Sequence, residues 1–363
     1  MMKVIQPRSF NPLKTLVVGS VILILIVVHL MRSPLEPDIT HWRGLTMGTH
    51  YDIKIARPPM SDKEQSTLRQ QVDDYLAQVN QSMSTYLPDS EISRFNRFEE
   101  TVPFPVSSSF TAVTRSALEW AERSAGAFDP TLDPLINLWG FGHEAANTQP
   151  PTEEDIAAVR ARSGYTKVTV SDDRHLRKLR PEIQLNLNAI AKGHAVDGVA
   201  ALLQEAGLTN IYIEIGGDMR VHGVNHEGIP WRIGIESPDS QAAPGQRLHG
   251  IAHMTEGALA GSGDYRQWIE VEDGGSYSHI IDPRTGRPAN HALTAVNVLA
   301  GNAMDADAAA TALIVMGLTD GLNWIESEEE LEAIFFTRTD NGAVQATTTS
   351  GFAERAGYAP LQD

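Results

Sequence analysis

The chain contains no cysteine. Disulfides, thiolate metal sites, a thiol nucleophile and lipid attachment through cysteine are therefore excluded, and any metal must be held by oxygen or imidazole. Basic residues are scarce as well: 29 lysines and arginines stand against 46 aspartates and glutamates, a formal charge of -17. A surface of that sign repels phosphate backbones, so no nucleic-acid partner is expected. Internal repeats and low-complexity tracts are missing. So are the GxGxxG turn of a dinucleotide-binding fold and the lysine-bearing phosphate loop of nucleoside triphosphatases.

What is present starts with an apolar run over residues 16–31, preceded by Lys3, Arg8 and Lys14 and interrupted only by Gly19, Ser20 and His29. Counted from Thr15 it is about 17 residues, at the short end for a spanning helix and slightly long for a signal-peptide core. Both readings export the chain. No small-x-small cleavage site follows, since Met31 and Arg32 lead into Pro34, Glu36, Pro37 and Asp38, and this favours an uncleaved anchor. The basic flank puts the N-terminus in the cytoplasm and the body in the periplasm. The expected organisation is a cytoplasmic segment (1–14), a single-pass inner-membrane signal anchor (15–31), a linker (32–41), one globular body (42–357) and a tail (358–363).

The body of the chain, 42% hydrophobic residues over the whole sequence, can bury a large core. Its centre is residues 185–223. Ile183, Leu185 and Leu187 alternate with polar neighbours as in a strand; 191–206 has helical spacing until Gly207; Ile211, Ile213 and Ile215 alternate again and end at Gly216-Gly217-Asp218. This has βαβ length. A helix beginning near Lys192-Gly193 would aim N–H groups at a bound anion, although a glycine pair after a strand is equally a plain turn.

Elsewhere Tyr51, Ile53 and Ile55 mark a strand, Ser61-x-x-Glu64 opens a helix with the stripe Leu68, Val72, Leu76 and Val79, and 109–123 forms another helix closed by Gly126. Thr152-x-x-Asp155 caps a further one. Tyr86, in a polar segment beside Pro88, either stacks on a planar ligand or packs under its own loop. The segment Ala127-Phe128-Asp129 and the cluster Trp139-Gly140-Phe141 suit a ligand wall or a core-lining loop. Residues 259–265 suggest a strand breaking into a small-residue loop at Ser262-Gly263, able to present N–H groups to phosphate. His279 stands at a strand end, either titrating usefully or fixed by a hydrogen bond.

The sharpest local chemistry is in MDADAAATALIVM at 304–316. Asp307 and Thr311 are four apart on a helix, hence on one face, and offer hard oxygen donors suited to Mg²⁺. The other reading is that Asp305 or Asp307 caps the helix and Thr311 is buried in it.

Eight blocks then fall in one order: TMGT (46–49), MSTYLPDSEISRFN (83–96), GAFDPT (126–131), NLNAIAKGHAVD (186–197), IEIGGD (213–218), SGDYR (262–266), SHIIDPRTGRP (278–288) and DADAAATAL (305–313). Their order and spacing resemble those of the FAD:protein FMN transferases, the ApbE-like family, over roughly Trp42 to Arg355. The resemblance implies a mixed α+β body of two interleaved lobes with FAD in the cleft, and Mg²⁺-dependent transfer of FMN from FAD to a threonine hydroxyl of a partner protein, releasing AMP. The partner it implies is a subunit of a membrane redox complex. Carried over by motif, Asp307, Thr311 and the backbone carbonyl of Ala189 would bind Mg²⁺. Asn186, in place of an aspartate found in some members, and Lys192 would line the FAD site. Met47, Tyr86, Ala127, Phe128, Asp129 and Ile281 would touch flavin or adenine, Ser262 and Gly263 the pyrophosphate, and His279 would serve transfer. Many exported members carry a lipidated cysteine that this chain lacks. Two other activities fit the same residues: a Mg²⁺-dependent FAD pyrophosphatase, and a non-catalytic periplasmic flavin carrier.

Overall fold

The structure is a computed structural model that describes residues 39–56, 60–143, 149–238, 246–264, 268–270, 276–339 and 341–361. The expected cytoplasmic segment and anchor lie outside the described residues.

The body is built on one eight-stranded antiparallel sheet. In chain order its strands are β1 (Ile39–Thr46), β2 (Thr49–Ala56), β3 (Ile211–Ile215) and β4 (Asp218–His222), then, after two strands of a second sheet, β7 (Glu256–Gly263), β8 (Leu293–Ala300), β9 (Glu332–Arg338) and β10 (Val344–Thr348). They lie side by side in that same order, each antiparallel to its neighbour. A second sheet of β5 (Trp231–Glu236), β6 (Leu248–Met254) and β11 (Ala359–Pro360) covers one face. The expected tail thus supplies a strand. Antiparallel pairing throughout removes both the doubly wound alternative and the central βαβ unit.

Period-two alternation explains the layering. Ile53, Ile55, Ile213, Ala260 and Val296 point to a core shared with the helices, while Val221, Leu259, Leu299, Ile334 and Phe336 point to one shared with the second sheet. On the helical side lie α1 (Asp62–Met83), α2 (Ser108–Arg123), α3 (Asn188–Glu205) and α4 (Ala303–Ile325). The Ser61 capping box forms as expected, and Leu68, Val72, Leu76 and Val79 are buried. Among the described helices α4 alone is long and apolar enough to cross a membrane, but it packs against α3, β7 and β8 as a core helix. Gly317, with φ of 79°, breaks its regular geometry. A third, smaller apolar cluster gathers Leu135, Trp139, Ile156 and Ile281.

Two expectations are corrected. Residues 183–187 are not a strand: Ile183, Leu185 and Leu187 are buried as the alternation predicts, but the partners of this extended segment are not strand backbone. Asn96 takes that role, with Oδ1 accepting from Leu185 N (2.7 Å) and Nδ2 donating to Leu185 O (2.8 Å), and Asn186 N donates to the carbonyl of Pro130. Ser262 and Gly263, expected in a loop, are instead the last two residues of β7, paired with Val296 and Ala295. Small side chains gave no strand signal there, and pairing with β8 decides the conformation.

Lys178 is a further surprise. It is 1% exposed, and burial pushes its ammonium down to about 8; three carbonyls, of Asn96, Phe98 and Pro181, accept from it at 2.9, 2.8 and 3.2 Å. The lysine ties the segment leading into α3 to the chain after the short helix Glu91–Arg97.

Candidate active site

The site is organised by the crossing of α3 and α4. The helix α3 starts at Asn188, earlier than expected, so Lys192 and Gly193 sit in its second turn and do not open it. A Cβ on Gly193 would lie 2.2 Å from the carbonyl oxygen of Ala303, so only glycine lets the two backbones approach this closely. Its N–H donates to Asp307 Oδ2 at 3.1 Å. One turn further along α3, Asp197 accepts from the N–H groups of Ala303 and Met304, both at 2.9 Å, and Arg220 Nη1 on β4 holds the same carboxylate at 2.6 Å. The start of α4 is also capped by Asn302, whose Oδ1 accepts from Asp305 N. Asp305 and Asp307 are therefore not its caps. Asp305 accepts from Trp120 Nε1 at 2.8 Å.

Asp307 is 3% exposed, and Thr311, half-buried, lies one turn later on the same face. Its second oxygen, Oδ1, faces Lys192 Nζ at 3.4 Å. The same ammonium makes a closer contact with Asp218, the first residue of β4. Burial opposes the Lys192 charge, and the carboxylates of Asp218 and Asp307 outweigh it and raise the lysine pKa. Burial, together with the neighbouring Asp307 carboxylate, pushes Asp218 up to about 8 despite the ammonium. Asp218 was not foreseen as a site residue. Its signal in the sequence was a carboxylate directly after Gly216-Gly217, at the point where β3 turns into β4.

Ala189 lies in the first turn of α3, partly buried. Asn186, just before it, donates to Asp133 Oδ1 (2.9 Å) and accepts from Asn188 N (3.0 Å). Among the described residues no three aspartate, glutamate or histidine side chains converge as a metal cluster. A cation here would draw on Asp307, Thr311, a backbone carbonyl and the ligand's own oxygens. That hard-oxygen, low-charge set fits a small divalent ion that keeps waters and shares substrate phosphates. Asp218 Oδ1, buried with no hydrogen-bond partner among the described residues, is a further oxygen beside Lys192 and Asp307.

The remaining expected residues occupy different segments. Met47 is in the two-residue turn joining β1 and β2, at φ of 49° next to Gly48 at 72°. Tyr86 is 62% exposed, with His143 edge-on 6.3 Å away. Ala127 and Phe128 are core side chains. Asp129 is committed internally, its Oδ1 accepting from Thr131 N and Oγ and its Oδ2 from Tyr165 N, while burial raises its pKa. Ser262 and Gly263 lead to Asp264, whose carboxyl burial pushes up to about 6. Ile281 joins the third apolar cluster. His279 packs edge-on to Phe141 at 6.3 Å, and the turn that follows it reaches α4 where Arg284 Nη2 donates to Val315 O at 3.4 Å. Direct contacts thus join Lys192, Asp218 and Asp307, and the contacts described for Tyr86 and His279 are with His143 and Phe141 instead.

Comparison with known proteins follows the same outline. The model of the ApbE family matches residues 47–335. A FAD:protein FMN transferase of Vibrio cholerae is 42% identical over 311 residues, 85% of this chain and 91% of that protein. That of Haemophilus influenzae is 35% identical over 338 residues, 92% and 96% of the two chains. Among solved structures, the flavin transferase ApbE from Vibrio cholerae superposes with a TM-score of 0.79 at 41% identity, covering 87% of this chain and 99% of that one. The apo flavinyl transferase ApbE of Pseudomonas stutzeri gives 0.77 at 34%, covering 88% and 97%. The mixed α/β body is therefore that of the ApbE structures, and the chain belongs to the ApbE family.

Proposed function

We propose that the protein transfers FMN from FAD to a threonine hydroxyl of a partner protein in a Mg²⁺-dependent reaction that releases AMP. The observation that carries the reading is the buried Asp307 carboxylate, fixed by the Gly193 N–H and followed one turn later by Thr311, in a chain whose relatives bear the name FAD:protein FMN transferase. The threonine oxygen attacks the FMN phosphorus, the bond from that phosphorus to the bridging pyrophosphate oxygen breaks, and AMP leaves with the electron pair. Asp307, Thr311 and the Ala189 carbonyl would hold Mg²⁺, which when bound neutralises charge on the pyrophosphate and its leaving group. Lys192 and Asp218 supply fixed charge behind that ligand set. The β1–β2 turn and Tyr86 offer apolar surface for the flavin or adenine ring.

The acceptor's proton goes to His279, since an imidazole is the side chain best suited to act as a base at neutral pH. His194, the competing histidine on α3, is buried, which lowers its pKa, and its ring is engaged by Ser109 Oγ at 3.0 Å. His279→Asn is expected to keep FAD binding within a few-fold and to slow transfer by about 10²-fold, the scale of a lost general base. FAD affinity falling in step with the rate would make His279 a binding or structural residue.

Met47 tests the flavin wall. A two-residue hairpin with both φ values positive favours Asn-Gly, so a methionine at this position costs backbone energy of order 1 kcal/mol. Met47→Asn is expected to melt no lower than wild type while binding FAD several-fold more weakly, read by flavin fluorescence; unchanged affinity would remove Met47 from the ligand contacts.

The decisive assay incubates the protein with FAD, Mg²⁺ and candidate acceptors drawn from membrane redox complexes. Covalent flavin fluorescence on the acceptor supports transfer. Free FMN and AMP with every acceptor would identify a pyrophosphatase, and intact FAD a carrier. The apolar run at 15–31 supports a single-pass inner-membrane anchor with a periplasmic body, and protease added to spheroplasts should then degrade that body; protection would reverse the topology.

A further inference from the structure

The arrangement around Asp307 leaves one of its two oxygens in contention. Oδ2 is occupied by the Gly193 N–H, and Oδ1 faces Lys192 at 3.4 Å. Resting on the reading of Asp307 as a metal ligand, we propose that Asp218 is a positioning residue that draws the Lys192 ammonium aside and so keeps Asp307 Oδ1 available to the divalent cation.

Three features support this. The ammonium stands closer to Asp218 Oδ2 than to Asp307. Asp218 is itself immobilised: it opens β4 opposite Ile215, after Gly216 and Gly217 with φ of 58° and 98°, and is 1% exposed. Its other oxygen makes no hydrogen bond within the hairpin among the described residues, and the groups acting on the carboxylate are Lys192 and Asp307.

The charges make the idea directional. Above the pH to which burial raises Asp218, as at the pH 9 of the test, two carboxylates and one ammonium leave one net negative charge. Without the Asp218 charge the ammonium turns wholly onto Asp307 and neutralises it, acting as a built-in competitor of the metal. Without Lys192 two negative charges remain. Removing both returns the count to one.

The test measures Mg²⁺ affinity by titration calorimetry on the full-length protein in detergent, with AMP present as a non-transferable remnant of the substrate. It is run at pH 9, with each variant's melting temperature as the check on folding. Asp218→Asn, nearly isosteric, is expected to weaken Mg²⁺ binding by about tenfold or more, the scale for residues that support a metal ligand. Lys192→Gln should bind at least as tightly as wild type. The Asp218→Asn/Lys192→Gln double variant should recover to within about threefold of wild type. Wild-type affinity in Asp218→Asn, or a double variant as weak as Asp218→Asn alone, overturns the proposal, the second result making Asp218 a direct ligand or a structural residue. Since Asp218→Asn and the double variant decide the matter, a Lys192→Gln protein that fails to fold leaves it decidable. Undiminished Mg²⁺ binding in Asp307→Ala would instead sink the metal-ligand reading beneath it.

Discussion

Asp307→Ala is expected to lose FMN transfer by more than about 10²-fold at any Mg²⁺ concentration tested, since it removes the only charged donor of the proposed ligand set. The fold should survive. Alanine replaces a mid-helix aspartate with a better helix former, worth several tenths of a kcal/mol, and the freed Lys192 keeps Asp218 as its partner, so no buried charge is stranded. Melting within a few degrees of wild type, alongside absent transfer and weakened Mg²⁺ binding, is the anticipated pattern. Thr311→Ala should cost less, about tenfold, because water can replace a neutral hydroxyl ligand. Wild-type rates for Asp307→Ala at limiting Mg²⁺ would refute the assignment.

Gly193→Ala should do comparable damage by a different route. Its Cβ would meet the backbone of Ala303 and Met304 at 2.2–2.6 Å, atoms with no rotamer to escape into. The helices α3 and α4 must then separate, stretching the Gly193–Asp307 bond and the two bonds from Asp197 that hold the start of α4. Overpacking of this kind costs about 1–3 kcal/mol, and the better helix propensity of alanine returns at most about 1 kcal/mol. A melting temperature lower by several degrees and transfer reduced more than tenfold are expected. An unchanged melting curve with full activity would mean that the crossing is looser than the structure has it.

The sequence was most readable where one local rule sufficed. Tyr51, Ile53 and Ile55 follow simple alternation, Ser61 and Glu64 a capping box, and Asp307 and Thr311 helical spacing; each appears as expected. Readings failed where a distant partner decides. Ile183, Leu185 and Leu187 show a strand's burial, but a side chain, Asn96, takes the place of the neighbouring strand. Ser262 and Gly263 have the composition of a loop and are drawn into β7 by β8. Lys178 and Asp218 look like surface charges in one dimension, because nothing local shows that three carbonyls wait for the one and a lysine for the other. The family resemblance pointed to Asp307 and Thr311 as the proposed metal ligands, and only the fold revealed that Lys192 answers to two carboxylates.

The order of strands in the main sheet governs when this protein becomes competent. The register of β2 against β3 pairs Tyr51 with Ile215, so the strand that follows the Met47 turn waits for a partner roughly 160 residues downstream. Closing so long a loop adds only a logarithmic entropy penalty, but it makes early folding slow. A chain emerging N-terminus first therefore displays Tyr51, Ile53 and Ile55 uncovered until β3 is made. The α3–α4 crossing comes later still, when residue 303 and beyond exist to meet Gly193. Truncated or stalled chains should accordingly be aggregation-prone and unable to hold flavin, and any factor that shields nascent apolar strands would act on this protein at β2.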